Sequence, residues 1–304
     1  MEGLGQVSER TKIGIMASRH SAFYSPLIGV MAAGFLQEEG LEADYAVLQP
    51  GQRSREMLVR GAVDVMQSAV GSNWGPMEEG ETDLPVHFAQ INRRDGFFLA
   101  ARKPDPDFEW KKLEELTLLA DHGQQPLLML RYAAHAQGVD WSKVRLVDAG
   151  SVEEMDSAFR AGQGDYIHQQ GPAPQQLESE GAGHVVASVG AAMPPVAFSS
   201  LLATRAFLES ETALAFVRAY RKSREWAQHA PAEEIAAREA SLFPGIDRAA
   251  LAAAIGRYQK LGTWEGDLAI PRDLYEQALE VFLHGGAVTK RHSYEDVCVA
   301  PPGI

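Results

Sequence analysis

Two short stretches limit what this chain can fold into: "RGAVDVMQ", Arg60–Gln67, and, far along the chain, "AGQGDYIHQ", Ala161–Gln169. In each, an amphipathic run ends in Gly, two residues pass, and an Asp opens a short strand-like segment. Glycine takes the left-handed backbone that closes a helix at little cost, so Gly61 and Gly162 read as helix C-caps. Asp64 and Asp165 then each start a strand after a tight turn. That device belongs to the third strand of a β-α-β-α-β unit, and its repetition predicts two such units.

The flanking sequence fits. "TKIGIMAS" reads as a buried strand and "SPLIGVMAAGFLQEEG" as a helix, with Ser25 as N-cap and Pro26 in the first helical position. "LEADYAVL" alternates like a strand, "RSREMLVRG" is helical, and "DVMQSAV" and "LPVHFAQIN" are strands. The second unit runs through "LTLLAD", "QPLLMLRYAAHAQG" with Gln125 ahead of Pro126, "VRLVDAG", and "SVEEMDSAFRAG", which opens on the capping box Ser151–Glu154. It finishes with "DYIHQQ", "PAPQQLESEG" and "HVVASVG". Short connections of this kind predict parallel sheets with right-handed crossovers. "AMPPVAFSSLLAT" reads as a return strand, only helices follow it, and the tail "TKRHSYEDVCVAPPGI" reads as irregular.

The length of 304 residues is that of about two domains. With 45% hydrophobic residues there is ample material for a core, and no run reaches the roughly 18 apolar residues of a membrane span. A net charge of −13, spread along the chain, argues against a nucleic-acid partner, which would call for a basic face. The single Cys298 excludes an intrachain disulfide and a cysteine-based metal cluster. "MEGLGQVSER" lacks the basic start and apolar stretch of a secretory leader. As written the chain reads as cytoplasmic, and as periplasmic or extracytoplasmic if a leader preceded it.

In open parallel sheets, ligands bind beyond the C-terminal strand ends, close to helix N-termini. Two facing units therefore predict a cleft. In the loop "ASRHSAFYS" the candidates are His20, Ser21, Tyr24 and Ser25, although Ser25 suits a plain helix cap and Tyr24 a core position. In "SNWG", Ser72 and Asn73 offer a hydroxyl and an amide, and Trp74 a stacking wall, against the alternative of a surface turn. "DHGQQP" contributes Gln124 and Gln125, and "DYIHQQGP" contributes His168, Gln169 and Gln170. Arg93 and Arg94 are paired near a chain crossing, where Arg94 is able to fork onto a carboxylate or sulfonate or to stay solvated as a hinge residue.

Several motifs together carry a resemblance: "KIGI", "YSPL" leading into "AAGFLQEEGLEA", and "LVRGAVD", followed by "GFFLAARKP", "LLMLRYAAHAQGVDWSKVRLVDAG", "AFRAGQGDYIHQQGPAP" and "FSSLLATRAFLES". In order and spacing, from Lys12 to about Ala230, the chain resembles the solute-binding proteins of sulfonate, taurine, nitrate and thiamine-precursor ABC transporters, with the type II periplasmic-binding-protein fold. The resemblance implies an α/β, two-lobed molecule whose parallel-rich sheets are flanked by helices, with a helical C-terminal region. It places lobe one at residues 1–98 and 198–304 and lobe two at 99–197, with the crossings in "RRDGFFLAA" and "MPPVAFSS". It also implies hinge closure on one small ligand, with an ABC permease as partner. The amides, hydroxyls and aromatics of the candidate site suit a small polar, heteroaromatic or weakly anionic molecule, and the chain reads as a monomer without a cofactor.

Enzymes occur among proteins of this likeness. Thiamine-pyrimidine synthases use a cysteine-rich iron-binding segment, which this chain lacks, and aryl-sulfinate desulfinases use a Cys in the loop after the first strand, where "ASRHSAFYS" has none. A cytosolic enzyme on the same fold, like an aromatic-acid decarboxylase or related to pyrimidine-precursor chemistry, is the alternative, with His20 or His168 as acid–base group. No Walker loop, HExxH or dinucleotide fingerprint is present, and the nine histidines show no metal-ligand spacing.

Overall fold

The computed structural model describes residues 10–49 and 51–303. Apart from Arg10, the stretch inspected for a leader lies outside them. The strands are β1 (Thr11–Ala17), β2 (Leu41–Val47), β3 (Val65–Ser68), β4 (Val86–Asn92) and β5 (Phe97–Ala101), then β6 (Thr117–Ala120), β7 (Arg145–Val147), β8 (Tyr166–Gln170), β9 (His184–Ser188) and β10 (Ser199–Ala203). They form two five-stranded sheets, ordered β2-β1-β3-β10-β4 and β7-β6-β8-β5-β9.

The two orders are the same pattern. In each sheet the fourth place holds a strand that the chain brings over from the other sheet, and that strand runs antiparallel to its neighbours. The sheets expected to be parallel are therefore mixed. The chain leaves the first sheet at Asn92 and starts β5 at Phe97, then leaves the second at Ser188 and re-enters the first at Ser199.

The repeated aspartates have a shared task. Asp64 accepts the Gly14 N–H on its Oδ2 at 2.8 Å, while its own N–H donates to Gly14 O. Asp165 does the same with Thr117, again at 2.8 Å. Each carboxylate thus extends the pairing of a third strand to the first strand of its unit. Gly61 and Gly162 precede them with φ of 66° and 101°, where other residues would be strained.

The helices are α1 (Ser25–Ala32), α2 (Phe35–Glu38), α3 (Ser54–Val59), α4 (Trp74–Glu78), α5 (Gln124–Ala136), α6 (Val152–Arg160) and α7 (Ala173–Ser179). After β10 come α8 (Arg205–Leu208), α9 (Glu211–His229), α10 (Ala232–Glu239), α11 (Arg248–Lys260), α12 (Arg272–His284) and α13 (Tyr294–Val297). Two expected caps differ. Ser25 is the first residue of α1 rather than its cap, and its buried hydroxyl hydrogen-bonds instead to Ala22 O and Glu239 Oε2. Ser21 caps the preceding 3-10 turn, accepting the Phe23 N–H. Helix α5 begins at Gln124 behind Gly123, because Asp121 Oδ1 accepts the Gly123 N–H and closes the turn before Gln125.

The tail is less irregular than its sequence suggests. It forms α13 and a parallel bridge from Cys298 to His87 at the edge of the first sheet. Helix α9 packs on α1, with Ser223 donating to Pro26 O at 2.7 Å. Helix α11 reaches the second sheet's side, where Tyr258 donates to Gly96 O and accepts the Gly171 N–H, both at 2.8 Å. One buried cluster runs through both sheets, from Ile15 and Phe88 to Phe97, Leu118 and Met129.

Candidate functional site

The C-terminal ends of β1, β3, β6 and β8 converge, and two cavities lie where they meet. The smaller, about 210 Å³, is bounded by Ser18, Arg19 and Tyr24 after β1, by Gln67 and Ser68 at the end of β3, and by Ser72. From the other sheet come Phe97, Gln124, Gln125 and Gln170, and Phe198 and Phe282 complete the apolar wall. The larger, about 720 Å³, shares Ser18, Arg19 and Gln170 with it and extends past His20, Ser21 and Asp121 toward α6 and α7.

An ion pair joins the two sheets between these cavities. Arg19, after β1, holds Asp121, after β6, through two contacts, one of them Nη2–Oδ1 at 3.0 Å. Burial pushes the Asp121 carboxyl up, but the Arg19 guanidinium outweighs this and leaves it below its ordinary range. Further links cross the same seam. Ser21 Oγ donates to Gly171 O at 2.5 Å and Gln125 Nε2 to Phe198 O at 2.7 Å. Gln170 Nε2 points at the Tyr24 hydroxyl at 3.5 Å.

The smaller cavity is polar and mostly neutral. Gln67 Oε1 accepts from the Ser18 N–H and hydroxyl, at 2.9 and 2.6 Å, which fixes its amide. Ser68 donates to Ser72, whose Oγ lies 3.4 Å from His87 Nε2. Burial pushes the Tyr24 phenol up to about 12, so it stays a neutral donor. Four glutamines, several hydroxyls and three phenylalanines make a lining that binds through hydrogen bonds and ring contacts rather than through net charge.

Of the residues nominated from the sequence, the structure brings Tyr24, Ser72, Gln124, Gln125 and Gln170 to the smaller cavity, and His20, Ser21, Gln169 and Gln170 to the larger. His20 has both ring nitrogens engaged, with the Tyr45 hydroxyl and Leu242 O at 2.8 Å each, and burial pulls its pKa down. The others line neither cavity. Asn73 donates to Pro85 O, which fastens the turn after β3. Trp74 is fully buried, donates to Tyr275 and meets Phe282 edge-on, so its ring serves the core of the C-terminal region rather than a ligand wall. Arg94 donates to Gly190 O at 3.1 Å and is spent on the crossing. His168 is buried and stacked on Phe97 at 4.5 Å, and burial drives its pKa down to about 3. It is a neutral ring within the second sheet.

Sequence reasoning passed over Arg19, Gln67, Ser68, Phe97, Asp121 and Phe198. Arg19 and Asp121 lie within two residues of the ends of β1 and β6, and the signal that points to them is opposite charge in corresponding loops of the two units. Gln67 and Ser68 are polar residues ending an apolar strand. Phe97 and Phe198 lie within the crossings and carry no local signal beyond their place.

Comparison with known proteins follows from this geometry. A family model described as NMT1/THI5 like matches residues 24–234, more than half of the chain. The chain belongs to the NMT1/THI5-like family. That agrees with the group read from the motifs. Within reach of this family, the chain is 27% identical over 293 residues to "Putative binding protein YtlA" of Bacillus subtilis (strain 168), covering 94% of this chain and 87% of that protein. Its fold is similar to that of a ligand-binding component of an ABC-type import system from Staphylococcus aureus solved with zinc bound, with TM-score 0.74, 14% identity and coverage of 96% and 97% of the two chains. It is also similar to the alkanesulfonate-binding protein SsuA from Xanthomonas axonopodis pv. citri bound to MOPS, with TM-score 0.71, 12% identity and coverage of 96% and 99%. At these identities the two structural likenesses are likenesses of fold.

Proposed function

We propose that this NMT1/THI5-like protein is a solute-binding protein, working as a monomer, that closes two lobes on a small polar molecule and hands it to the permease of an ABC importer. In this reading lobe one comprises residues 1–98 and 198–304 and lobe two residues 99–197. The observation that carries the proposal is the smaller cavity, whose lining comes from matching strand ends of both sheets. Such a site is made and unmade by hinge motion between lobes. The import components and sulfonate binders that share the fold support the reading, as does the binding protein related in sequence.

The lining favours a solute with several hydrogen-bonding atoms and a flat or apolar body, such as a heteroaromatic ring or a weakly anionic head. Among the described residues, Arg19 is the only cationic side chain at the smaller cavity, and Asp121 already holds it. About six neutral hydrogen bonds at roughly 0.5–1.5 kcal/mol each, with ring burial, reach the ~8 kcal/mol of micromolar binding. Binding rather than catalysis is proposed because His20 has both ring nitrogens engaged, and His168, whose nitrogens have no partner, is fully buried and lines neither cavity.

A solute screen by thermal shift, joined to native mass spectrometry of the purified chain, tests this. One solute is expected to raise Tm by mass action and to be recovered unchanged after unfolding. Recovery of a converted product would make the protein an enzyme, and no stabilising solute in a broad screen would count against the proposal.

A further inference from the structure

The larger cavity has a chemistry of its own. It is faced by four carboxylates, Asp121, Glu153, Asp156 and Glu180, and by two guanidinium groups, Arg19 and Arg160. Both cations are committed, Arg19 to Asp121, and Arg160 to Asp156 at 2.5 Å and to Glu180. Glu153, exposed in the first turn of α6, makes no ion pair among the described residues.

Beneath these charges lies a buried group without a partner. Gln169 lines the cavity, is 1% exposed, and holds its Oε1 with no hydrogen bond. Its Nε2 donates to Asp156 Oδ1 at 3.3 Å. A carboxylate only accepts, so Asp156 determines which end of the amide faces it and leaves the oxygen as the bare end. The neighbouring Gln170 also has an unpartnered Oε1, but its one contact is the Tyr24 hydroxyl, which donates as well as accepts, so a turned amide would satisfy it. Native structures seldom leave such an acceptor unmet, so Gln169 Oε1 calls for an outside donor. The remaining lining is largely apolar and includes Val47, Met155, Leu242, Phe243 and Ile246.

We infer that the larger cavity is a second binding site, for a small organic cation with an apolar body. Its N–H groups donate to Gln169 Oε1 and are balanced by Glu153, while its body lies against Met155, Phe243 and Ile246. Its volume of about 720 Å³ is within the usual range for small-molecule sites. An anion would meet an excess of carboxylate, and an apolar molecule would leave Gln169 Oε1 bare. The two cavities share Ser18, Arg19 and Gln170, but the inference rests on Gln169 and Glu153, which line the larger one alone, and so it goes beyond the solute reading of the smaller.

The test is calorimetric titration of the full chain at neutral pH and low salt with three probes of one shape, benzamidinium, benzamide and benzoate, with methionine-methyl spectra followed in parallel. Benzamidinium is expected to bind about tenfold tighter than either analogue and to move the Met155 methyl signal. Glu153→Gln, an exposed change that spares the fold, is expected to weaken it about fivefold. Gln169→Leu, checked for folding by circular dichroism, is expected to weaken it further. Equal affinity for the three probes, an unmoved Met155 signal, no binding at millimolar probe, or unchanged affinity in Glu153→Gln would each overturn the inference. Failure of the solute screen leaves these outcomes unaffected, so the two readings fail separately.

Discussion

Asp95 shows how much one buried side chain decides. It sits between β4 and β5, where the chain changes sheets, with Oδ1 accepting the Phe97 N–H at 2.7 Å and Oδ2 unpartnered. Burial pushes its carboxyl up to about 8. The folded protein therefore keeps a proton that the unfolded chain releases, and stability from this source falls as pH rises from 3.8 to about 8. Asparagine is isosteric with the protonated acid. Asp95→Asn is expected to gain roughly 1–3 kcal/mol near pH 8 and almost nothing near pH 4, read from urea unfolding at both pH values. Glu239, also buried and raised, adds the same trend to both proteins, so the difference between them isolates Asp95.

Asp121 has the opposite sign. Its folded pKa is lowered, so its contribution is complete above 3.8 and is lost as pH falls through the folded value. Asp121→Asn strands the Arg19 charge. Because the Arg19 side chain is 31% exposed, the cost is expected near 1–2 kcal/mol rather than that of a fully buried pair. A Tm that is unchanged at neutral pH would show the two sheets to be held together without this contact.

Among elements, the twin aspartates make the clearest prediction. Asp64→Ala removes an acceptor for a strand N–H and is expected to cost about 1 kcal/mol, with Asp165→Ala, in a more exposed setting, costing less. Being far apart in different sheets, the two losses are expected to add within about 0.5 kcal/mol in urea unfolding. Strong coupling would mean that the units do not form independently. The repeated motif was legible because helix end, turn and strand start are all local. Nine of the ten strands and the long helices follow from periodicity and capping for the same reason, whereas β5, inside the crossing "RRDGFFLAA", reads only as a connection. What escaped was set by contacts distant in sequence. The antiparallel insertion of β5 and β10 depends on which sheet a strand joins, and the pairing of Cys298 with His87 on a partner two hundred residues away. Site residues divided likewise. Gln124, Gln125 and Gln170 are legible from their place at strand and helix ends, whereas the burial of Trp74 against Tyr275 and of His168 behind Phe97 is set by the assembled fold.

For the whole molecule, the account turns on two sheets meeting at matching edges around a solute. The smaller cavity takes lining from both, and the seam is crossed by Arg19–Asp121, Ser21–Gly171 and Gln125–Phe198. A solute bound there shifts the population toward the closed arrangement by its differential affinity for it. The most direct test is the side-chain amide NMR spectrum of Gln67, Gln124, Gln125 and Gln170, recorded as the stabilising solute is titrated in. Binding between the lobes is expected to shift the signals of Gln67, from the first sheet, together with those of Gln124, Gln125 and Gln170, from the second, along one saturation curve. Saturating solute that moves the amides of one sheet only, or none of the four, would contradict it.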